Sequence, residues 1–499
     1  MIKIKPYNEI FYYIDSDYET LNKLTFYFKV RSPSFFFDPR YKNGIWDGFI
    51  QLFKQDNLLY RGLLNDLNKF CINNNIELIN EDSFNSIDVD DESLNSFINE
   101  LDLSTLNRQT NIRSRISFRD YQLESLKLCI KNQKQLIESP TSSGKSLVIY
   151  TLIRYLQPIL NDKKILLIVP AINLVNQMYS DFEDYSFFNS WKTEENCCKI
   201  YSGKDKSLIE TSNTLISTWQ SLKDLPKEFF YQFKVVICDE VQGAKAKELN
   251  KILTYCINSK YRFGFTGTVP KELLFKKQIL GIFINHNVVT TYEELKQNDY
   301  ITGIDIKCIQ LNYDISQEKN VKRKYQDELS YIQGSNRRQE LLVKLGTVKN
   351  NSLFLFTKVA KHSKYIFDKM KKDERLKDKE IYLIDSSTKI KDRDEIKAKL
   401  EKQDNIIILS TYKLLSTGWS VNNLHNIIFA DPLKSDVTIP QSIGRGLRTC
   451  NDKDHFNLFD VVDKFNYTNT VFKHYKERKK MYDKFNFKNS LTVLTESLV

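Results

Sequence analysis

At 499 residues, with 41% hydrophobic and 27% charged residues and a net charge of +11, the sequence describes a soluble globular chain of two to four domains. No apolar run approaches the roughly 18 residues of a membrane span, and the start, Met1 to Glu9, lacks the apolar core of a secretory signal. Eight cysteines without paired C-x-x-C spacing point to reduced thiols in a cytoplasm, and five scattered histidines argue against a zinc site.

The charge is unevenly placed. Residues 1–102 hold 10 Lys/Arg against 17 Asp/Glu, a balance of −7, so the remainder carries +18. Excess positive charge suits a polyanion such as nucleic acid, and it serves plain solubility equally well. The first 80 residues read as a small mixed α/β domain. Its densest feature is Phe37 to Gly48, where Pro39, Gly44 and Gly48 punctuate a turn-rich loop bearing Arg40, Lys42 and Trp46. Exposed basic and aromatic side chains on a loop suit nucleic-acid contact; the alternative is a hairpin whose Trp46 packs into a small core. Glu81 to Asp102 holds eight acidic residues and no basic one, and we place an acidic, solvated linker at 81–110.

From about Arg113 short apolar runs alternate with helical patterns: Lys164 to Val169, Thr214 to Ser217, Val235 to Cys238 and Arg262 to Thr266. Continuous rather than alternating apolar strands imply a parallel sheet covered on both faces. The rhythm restarts after about residue 300, at Ser352 to Thr357, Ile381 to Ile384, Ile406 to Leu409 and Asn426 to Ala430. Two α/β domains in series result, 111–296 and 297–462, followed by a basic and aromatic extension, 463–499. In that extension Lys473, Lys476, Arg478, Lys479 and Lys480 stand beside Tyr475 and Tyr482, as a nucleic-acid contact or as a solvated helix face.

Three motifs carry chemistry. Gln135 to Ser146 reads as strand, phosphate-cradling loop and helix: Pro140, Thr141, Ser142, Ser143 and Gly144 form the loop, and Lys145 and Ser146 open a helix. Such a loop turns backbone N–H groups and a helix N-terminus toward an anion, Lys145 adds fixed positive charge, and Ser146 offers a hydroxyl to Mg²⁺. Ser139 stands where the usual pattern opens with Gly. In the second motif the apolar run Val235 to Cys238 enters Asp239-Glu240. There Asp239 suits the metal and Glu240 the proton of an attacking water. The third is Gln441 to Arg448, in the domain without a phosphate loop. Arg445 and Arg448, three apart, would share one helical face and supply positive charge to a departing γ-phosphate.

Phe118 to Gln122, Pro140 to Ser146, Ile168 to Pro170, Asp239 to Gln242, Thr266 to Thr268, Ser410-Thr411 with Thr417-Gly418, and Gln441 to Arg448 occur in the order of superfamily 2 helicases. Seven stretches in order across residues 118–448 make the resemblance specific. It implies two RecA-like domains that use ATP and Mg²⁺. By the same resemblance Gln122 reads adenine, Thr266, Gly267 and Thr268 couple hydrolysis to strand movement, and Gly418 senses nucleotide. Gln441, Arg445 and Arg448 complete the catalytic set of Lys145, Asp239 and Glu240. Pro170, Thr218, Thr357 and Thr411 sit in stretches that resemble those touching the nucleic-acid backbone.

The Pro39 to Gly48 loop, the Phe118 to Gln122 entry and the ending near Tyr482 to Phe487 also resemble the UvsW helicase family of T-even-type phages. That resemblance implies a DNA translocase and helicase acting on branched or duplex DNA, including stalled forks, recombination junctions and RNA–DNA hybrids in R-loops, in a host-cell cytoplasm. The sequence departs from the family at Gln242, where His is usual. A glutamine donates and accepts hydrogen bonds but does not charge near neutral pH. Three other readings stand beside this one: the motor subunit of a restriction or repair complex, an RNA-remodelling helicase, and a scaffold without ATPase activity.

Overall fold

The computed structural model describes residues 1–82, 86–107, 110–160, 163–201, 212–245, 247–314, 324–358, 361–385, 387–413, 421–449, 453 and 455–494. The chain divides into two compact units, Met1–Leu106 with Ile112–Ser139 and Gly144–Thr290, and Asn107–Asn111 with Pro140–Ser143 and Thr291–Val499.

In the first unit, among the described residues, seven parallel strands form one sheet. Their order is Cys197–Ile200, Thr214–Thr218, Lys164–Val169, Phe233–Asp239, Tyr261–Thr266, Lys134–Glu138, Asn285–Val288. Alternate side chains of one strand enter opposite cores. Leu136, Leu166, Ile168, Val236 and Cys238 pack on one face, and Ile137, Ile165, Leu167, Val169 and Ile237 on the other. Burial on both faces is why these strands read as unbroken apolar runs.

The N-terminal residues build a four-stranded sheet in the order Leu58–Tyr60, Phe11–Asp15, Ile2–Pro6, Leu78–Asn80. The helix Tyr18–Tyr27 is capped by Asp17, whose carboxylate accepts from the Thr20 N–H at 2.9 Å. This small α+β domain shares its core with one face of the parallel sheet: Ile4, Phe28 and Leu59 lie in the same apolar cluster as Ile279 and Phe283. Two glycines permit the approach. A Cβ on Gly62 would fall 1.9 Å from the Leu280 carbonyl oxygen, and one on Gly281 would fall 2.9 Å from the Tyr60 Cβ. Ionic contacts flank the seam, Lys134 with Glu9 at 2.6 Å and Arg61 with Asp82. Arg262, fully buried, donates to the carbonyls of Leu253 (2.6 Å), Cys256 (2.8 Å) and Ile282 (3.2 Å) and so closes the ends of two helices, Lys247–Tyr255 and Leu273–Phe283.

The acidic stretch is more than a linker. Asp91–Glu100 is a helix capped by Asp90, with Asp91 and Glu92 at its positive end, and its Leu94 and Ile98 are buried with Leu126 and Ile153. Its acidic residues mark a helix N-terminus and a solvent face, while every fourth position carries the packing.

The second unit holds another seven-stranded sheet among its described residues, again parallel. The order is Glu380–Leu383, Ile406–Thr411, Ser352–Phe356, Asn426–Phe429, His455–Phe465, Gly303–Tyr313, Asn489–Leu494. The C-terminal extension is part of this sheet: Asn489–Leu494 is its edge strand, and the helix Thr470–Lys484 packs on it. The expectation of a basic and aromatic nucleic-acid contact is corrected here for three of its residues. Tyr475, Arg478 and Tyr482 are buried, and Arg478 pairs with Asp460 through Nε at 2.9 Å and Nη2 at 2.7 Å, while the Tyr482 hydroxyl donates to the same carboxylate at 2.9 Å. A guanidinium that sequence places on a solvated face serves here as the partner that a buried aspartate requires. The fold is thus two tandem parallel-sheet domains preceded by a small α+β domain.

Candidate nucleotide site and nucleic-acid surfaces

Three adjacent strands deliver the first domain's motifs at their carboxyl ends, where open parallel sheets bind ligands. Lys134–Glu138 leads to the phosphate loop, Tyr261–Thr266 ends in Thr266-Gly267-Thr268, and Phe233–Asp239 ends in Asp239. Ser139 continues the ladder, its N–H donating to the Thr266 carbonyl at 2.9 Å. Thr141 and Ser143 are buried, and Pro140 accepts from the Ser143 N–H at 3.3 Å. Ser142 and Gly144 adopt left-handed φ values of 72° and 82°, which turn the chain into the helix Lys145–Leu156. Lys145 donates from Nζ to the Ser139 carbonyl at 3.1 Å.

Gln122 is buried above this loop. Its amide oxygen accepts the Arg119 N–H at 3.0 Å, and its nitrogen lies where a Cβ on Gly144 would come within 2.4 Å. A side chain there would displace the Gln122 amide and would have to adopt φ 82°, a conformation that favours glycine. Ser146 shares a hydrogen bond of 2.8 Å with the Tyr185 hydroxyl, a partner with no motif around it in the sequence.

Glu240 carries φ 53° directly after the strand end, a non-glycine residue in the left-handed region. Its N–H donates to the Asp239 carboxylate at 3.0 Å. Gln242, buried, donates from Nε2 to Glu240 and accepts the Thr266 hydroxyl on Oε1. The Thr266 hydroxyl in turn accepts from the Thr268 N–H at 3.2 Å. One amide therefore joins the carboxylate motif to the threonine motif, as a residue with both a donor and an acceptor is able to do.

In the second unit Gln441 and Arg445 lie on the helix Thr438–Gly446. The expectation that Arg448 shares a helical face with Arg445 is not met, because the helix stops at Gly446 and Arg448 lies beyond its end. Lys453, missed in the sequence, caps that end. Its buried ammonium donates to the carbonyls of Gly446 and of Arg448 (2.9 Å), a cation at the negative end of a helix. Gly418 lies outside the described residues.

The expected nucleic-acid residues are differently placed. Thr357 gives its N–H and its hydroxyl to the buried Asp431, both at 3.0 Å. Burial raises the pKa of Asp431, and the nearby Arg338 opposes that shift. Thr218 is itself buried, and its hydroxyl caps the short helix Trp219–Leu222, so its side chain is committed to the fold. Pro170 and Thr411 are partly exposed at strand ends.

In the N-terminal loop Arg40 and Lys42 are exposed, whereas Trp46 is half-buried. The Trp46 indole N–H donates to the Phe49 carbonyl at 2.7 Å, and the Arg40 guanidinium lies 5.0 Å from its ring centre. Arg40 also forks onto Asp38 at 2.7 and 3.1 Å, which holds the Asp38 carboxyl down to about 2. No described helix is long and apolar enough to cross a membrane.

The order of motifs and the two parallel sheets define the class: the chain is a superfamily 2 helicase. Family models match in three places: "DNA helicase UvsW, N-terminal" at residues 1–80, "Type III restriction enzyme, res subunit" at 115–271, and "Helicase conserved C-terminal domain" at 336–450. Within the class, the chain resembles the ATP-dependent DNA helicase uvsW of Enterobacteria phage T4. The two are 29% identical across 95% of this chain and 96% of that one. The crystal structure of T4 UvsW covers 99% of both chains at 27% identity with a TM-score of 0.52. A Type ISP restriction-modification enzyme, LlaBIII, solved bound to DNA, shares the fold at 16% identity and a TM-score of 0.56, over 86% of this chain and 34% of that one.

Proposed function

We propose that this chain is an ATP-dependent DNA helicase and translocase that remodels branched DNA, including stalled forks, recombination junctions and R-loops, in the cytoplasm of a phage's host. The observation that carries the reading is the joint presence of Lys145, Asp239, Glu240, Arg445 and Arg448 on two parallel-sheet domains behind an N-terminal domain matched as UvsW-type at 1–80.

In this reading the N-terminus of the helix Lys145–Leu156 and Lys145 hold the phosphates, and Gln122 reads the adenine. Ser146 and Asp239 are the donors for Mg²⁺. A hydroxyl and a carboxylate are the kind of hard oxygen donors that this ion takes from protein. Mg²⁺ characteristically takes most of its shell from phosphates and waters and only one or two protein groups. When bound, it neutralises charge on the phosphates. Glu240 accepts the proton of the attacking water, and Gln242 with Thr266, Gly267 and Thr268 relays the change. Gln441, Arg445 and Arg448 stabilise the departing phosphate, and Gly418 senses nucleotide. Pro170, Thr357 and Thr411, with the backbone near Thr218, follow the nucleic-acid strand, and Arg40 and Lys42 add contact from the N-terminal domain.

The test is steady-state ATPase with single-stranded DNA, duplex, fork, four-way junction and RNA. Forks and junctions are expected to stimulate most. No stimulation by any of them overturns the motor reading, and stimulation by RNA alone favours an RNA-remodelling helicase. Lys145→Ala is expected to abolish turnover while DNA binding persists. The match at 115–271 favours a second reading, the motor subunit of a restriction complex. That subunit would need added partner chains for DNA-stimulated turnover, whereas the proposed enzyme turns over alone.

A further inference from the structure

The N-terminal hairpin displays apolar side chains that neither its own core nor the nucleotide site uses. Strands Lys29–Arg31 and Phe49–Gln51 pair antiparallel and present the residues between them as a tip. On that tip Phe36 is 65% exposed, Phe37 78% and Ile45 75%. Three large apolar side chains at one loop tip are a cost in water that a soluble chain does not maintain by accident.

The tip is rigid. Phe35 stands edge-on to Tyr41 with ring centres 4.7 Å apart, and Gly48, at φ 82°, lies against Phe35, where a Cβ would come within 3.0 Å. Arg31 lies over both Phe35 (4.7 Å) and Phe49 (5.0 Å), and Trp46 is tied to Phe49. Phe36 and Phe37 meet edge to face, 6.2 Å between centres. An open groove of about 910 Å³ runs beside them, lined by Phe36, Tyr41, Lys42, Ile45 and Trp46.

Charge selects the occupant. Residues 29–49 hold four basic residues (Lys29, Arg31, Arg40, Lys42) and two acidic ones, inside a 102-residue region whose balance is −7. Four of the region's ten Lys/Arg thus stand near its exposed rings, Lys29 and Arg40 beside Asp47 and Asp38. The hairpin is net positive within an acidic region. An uncharged acyl chain or apolar protein face would gain nothing from the cations. A polyanion with flat apolar groups gains from both parts. Paired bases are already stacked and offer no free face, so the fit is to unpaired bases where duplex opens into single strand.

We propose that Phe36, Phe37 and Ile45 form a stacking platform that holds unpaired bases at a single-strand/duplex junction, with Lys42 and Arg40 on the adjoining phosphates. This deepens the proposed function and rests on it for the class of substrate. The experiment is carried out without ATP, so that it reads the platform separately from the motor. Forked DNA carrying 2-aminopurine at the first unpaired position is titrated with the full chain and with the double variant Phe36→Ser, Phe37→Ser. Both side chains are exposed, and circular dichroism and the melting transition confirm an unchanged fold. Wild type is expected to quench the probe, and the variant to lose the quench and bind the fork about tenfold more weakly, the scale of one to two stacked bases. Its affinity for fully paired duplex and its ATPase on single-stranded DNA are expected to stay within twofold. Equal quenching and fork affinity in the two proteins overturn the platform. So does a variant whose only change is a lower sedimentation coefficient, which assigns the tip to self-association. A wild-type protein that no nucleic acid stimulates defeats the motor reading instead, and leaves the quench to judge the platform.

Discussion

Thr266 donates its hydroxyl hydrogen bond to the Gln242 side-chain oxygen, and the nitrogen of the same amide donates to Glu240. An amide does this at any pH in the physiological range, because it has no proton to gain or lose. The number of base pairs opened per ATP is therefore expected to stay flat between about pH 6 and 8 in the wild type. Gln242→His should match it above about pH 6.5 and fall below it as the ring charges and can no longer accept from Thr266. Unwinding and hydrolysis measured together across that range check this. A parallel fall in the wild type would show that the bridge does not set the coupling.

Lys134 and Glu9 meet at 2.6 Å with Lys134 almost fully buried. Burial, helped by the nearby Arg61, lowers the Lys134 pKa to about 8. The unfolded chain keeps that proton to about pH 10.4, so between about pH 8 and 10.4 it binds more protons than the folded one, and this lysine's destabilising contribution fades as pH rises. Below about pH 8 the cost is present in full. Lys134→Met is therefore expected to melt at or above the wild-type temperature at pH 7 and to lose part of the alkaline rise. Glu9→Gln strands a buried ammonium and should cost about 3–5 kcal/mol. Thermal melts at pH 7 and pH 9.5 separate the two.

Arg262 answers three carbonyls with one guanidinium. Arg262→Leu keeps apolar bulk but leaves those acceptors buried, at about 1–3 kcal/mol for each that water cannot reach. A loss of several kcal/mol in urea titration is expected. A loss under about 1 kcal/mol would mean that the helix ends find other donors.

Arg478 and Asp460 form a buried pair, so Arg478 should contribute nothing to phosphate contact. Replacing both, as Arg478→Met with Asp460→Leu, is expected to leave the salt dependence of DNA affinity unchanged. Lys42→Ala should flatten the slope by about one counterion. Asp460→Asn alone, which strands the guanidinium, should destabilise by about 3–5 kcal/mol. A flatter salt slope in the double variant would return Arg478 to the DNA surface.

The legible strands were those buried on both faces. Ile165 to Val169 and Val235 to Cys238 are apolar at every position because each neighbour enters a different core. Gly303–Tyr313 escaped that pattern, since Lys307 and Asn312 are exposed and Asp305 is only partly buried among its apolar positions. Asn489–Leu494, an edge strand with mostly exposed side chains, showed no pattern at all. The nucleotide motifs were legible because backbone conformation and chemistry restrict them together, as at Gly144 beneath Gln122. Tyr185, Lys453 and Asp431 were not, because each acts through hydrogen bonds to residues outside its own stretch of sequence, which no local pattern encodes. Arg478 misled for the opposite reason: a lysine-rich neighbourhood concealed one arginine pointing inward.

The abutting backbones at Gly62 and Gly281 bear on how such a protein can be rebuilt or exchanged. A module on a flexible tether can be grafted from one motor to another by matching the tether alone. Here the two surfaces are cut to each other, Gly62 against the main chain of Leu280 and Gly281 against the base of the Tyr60 side chain, with little room to absorb a mismatch. A chimera that imports residues 1–80 without the helix Leu273–Phe283 inherits a misfit that repacking cannot cure. Recombination within this family should therefore transmit the two segments together, although about 200 residues of sequence separate them.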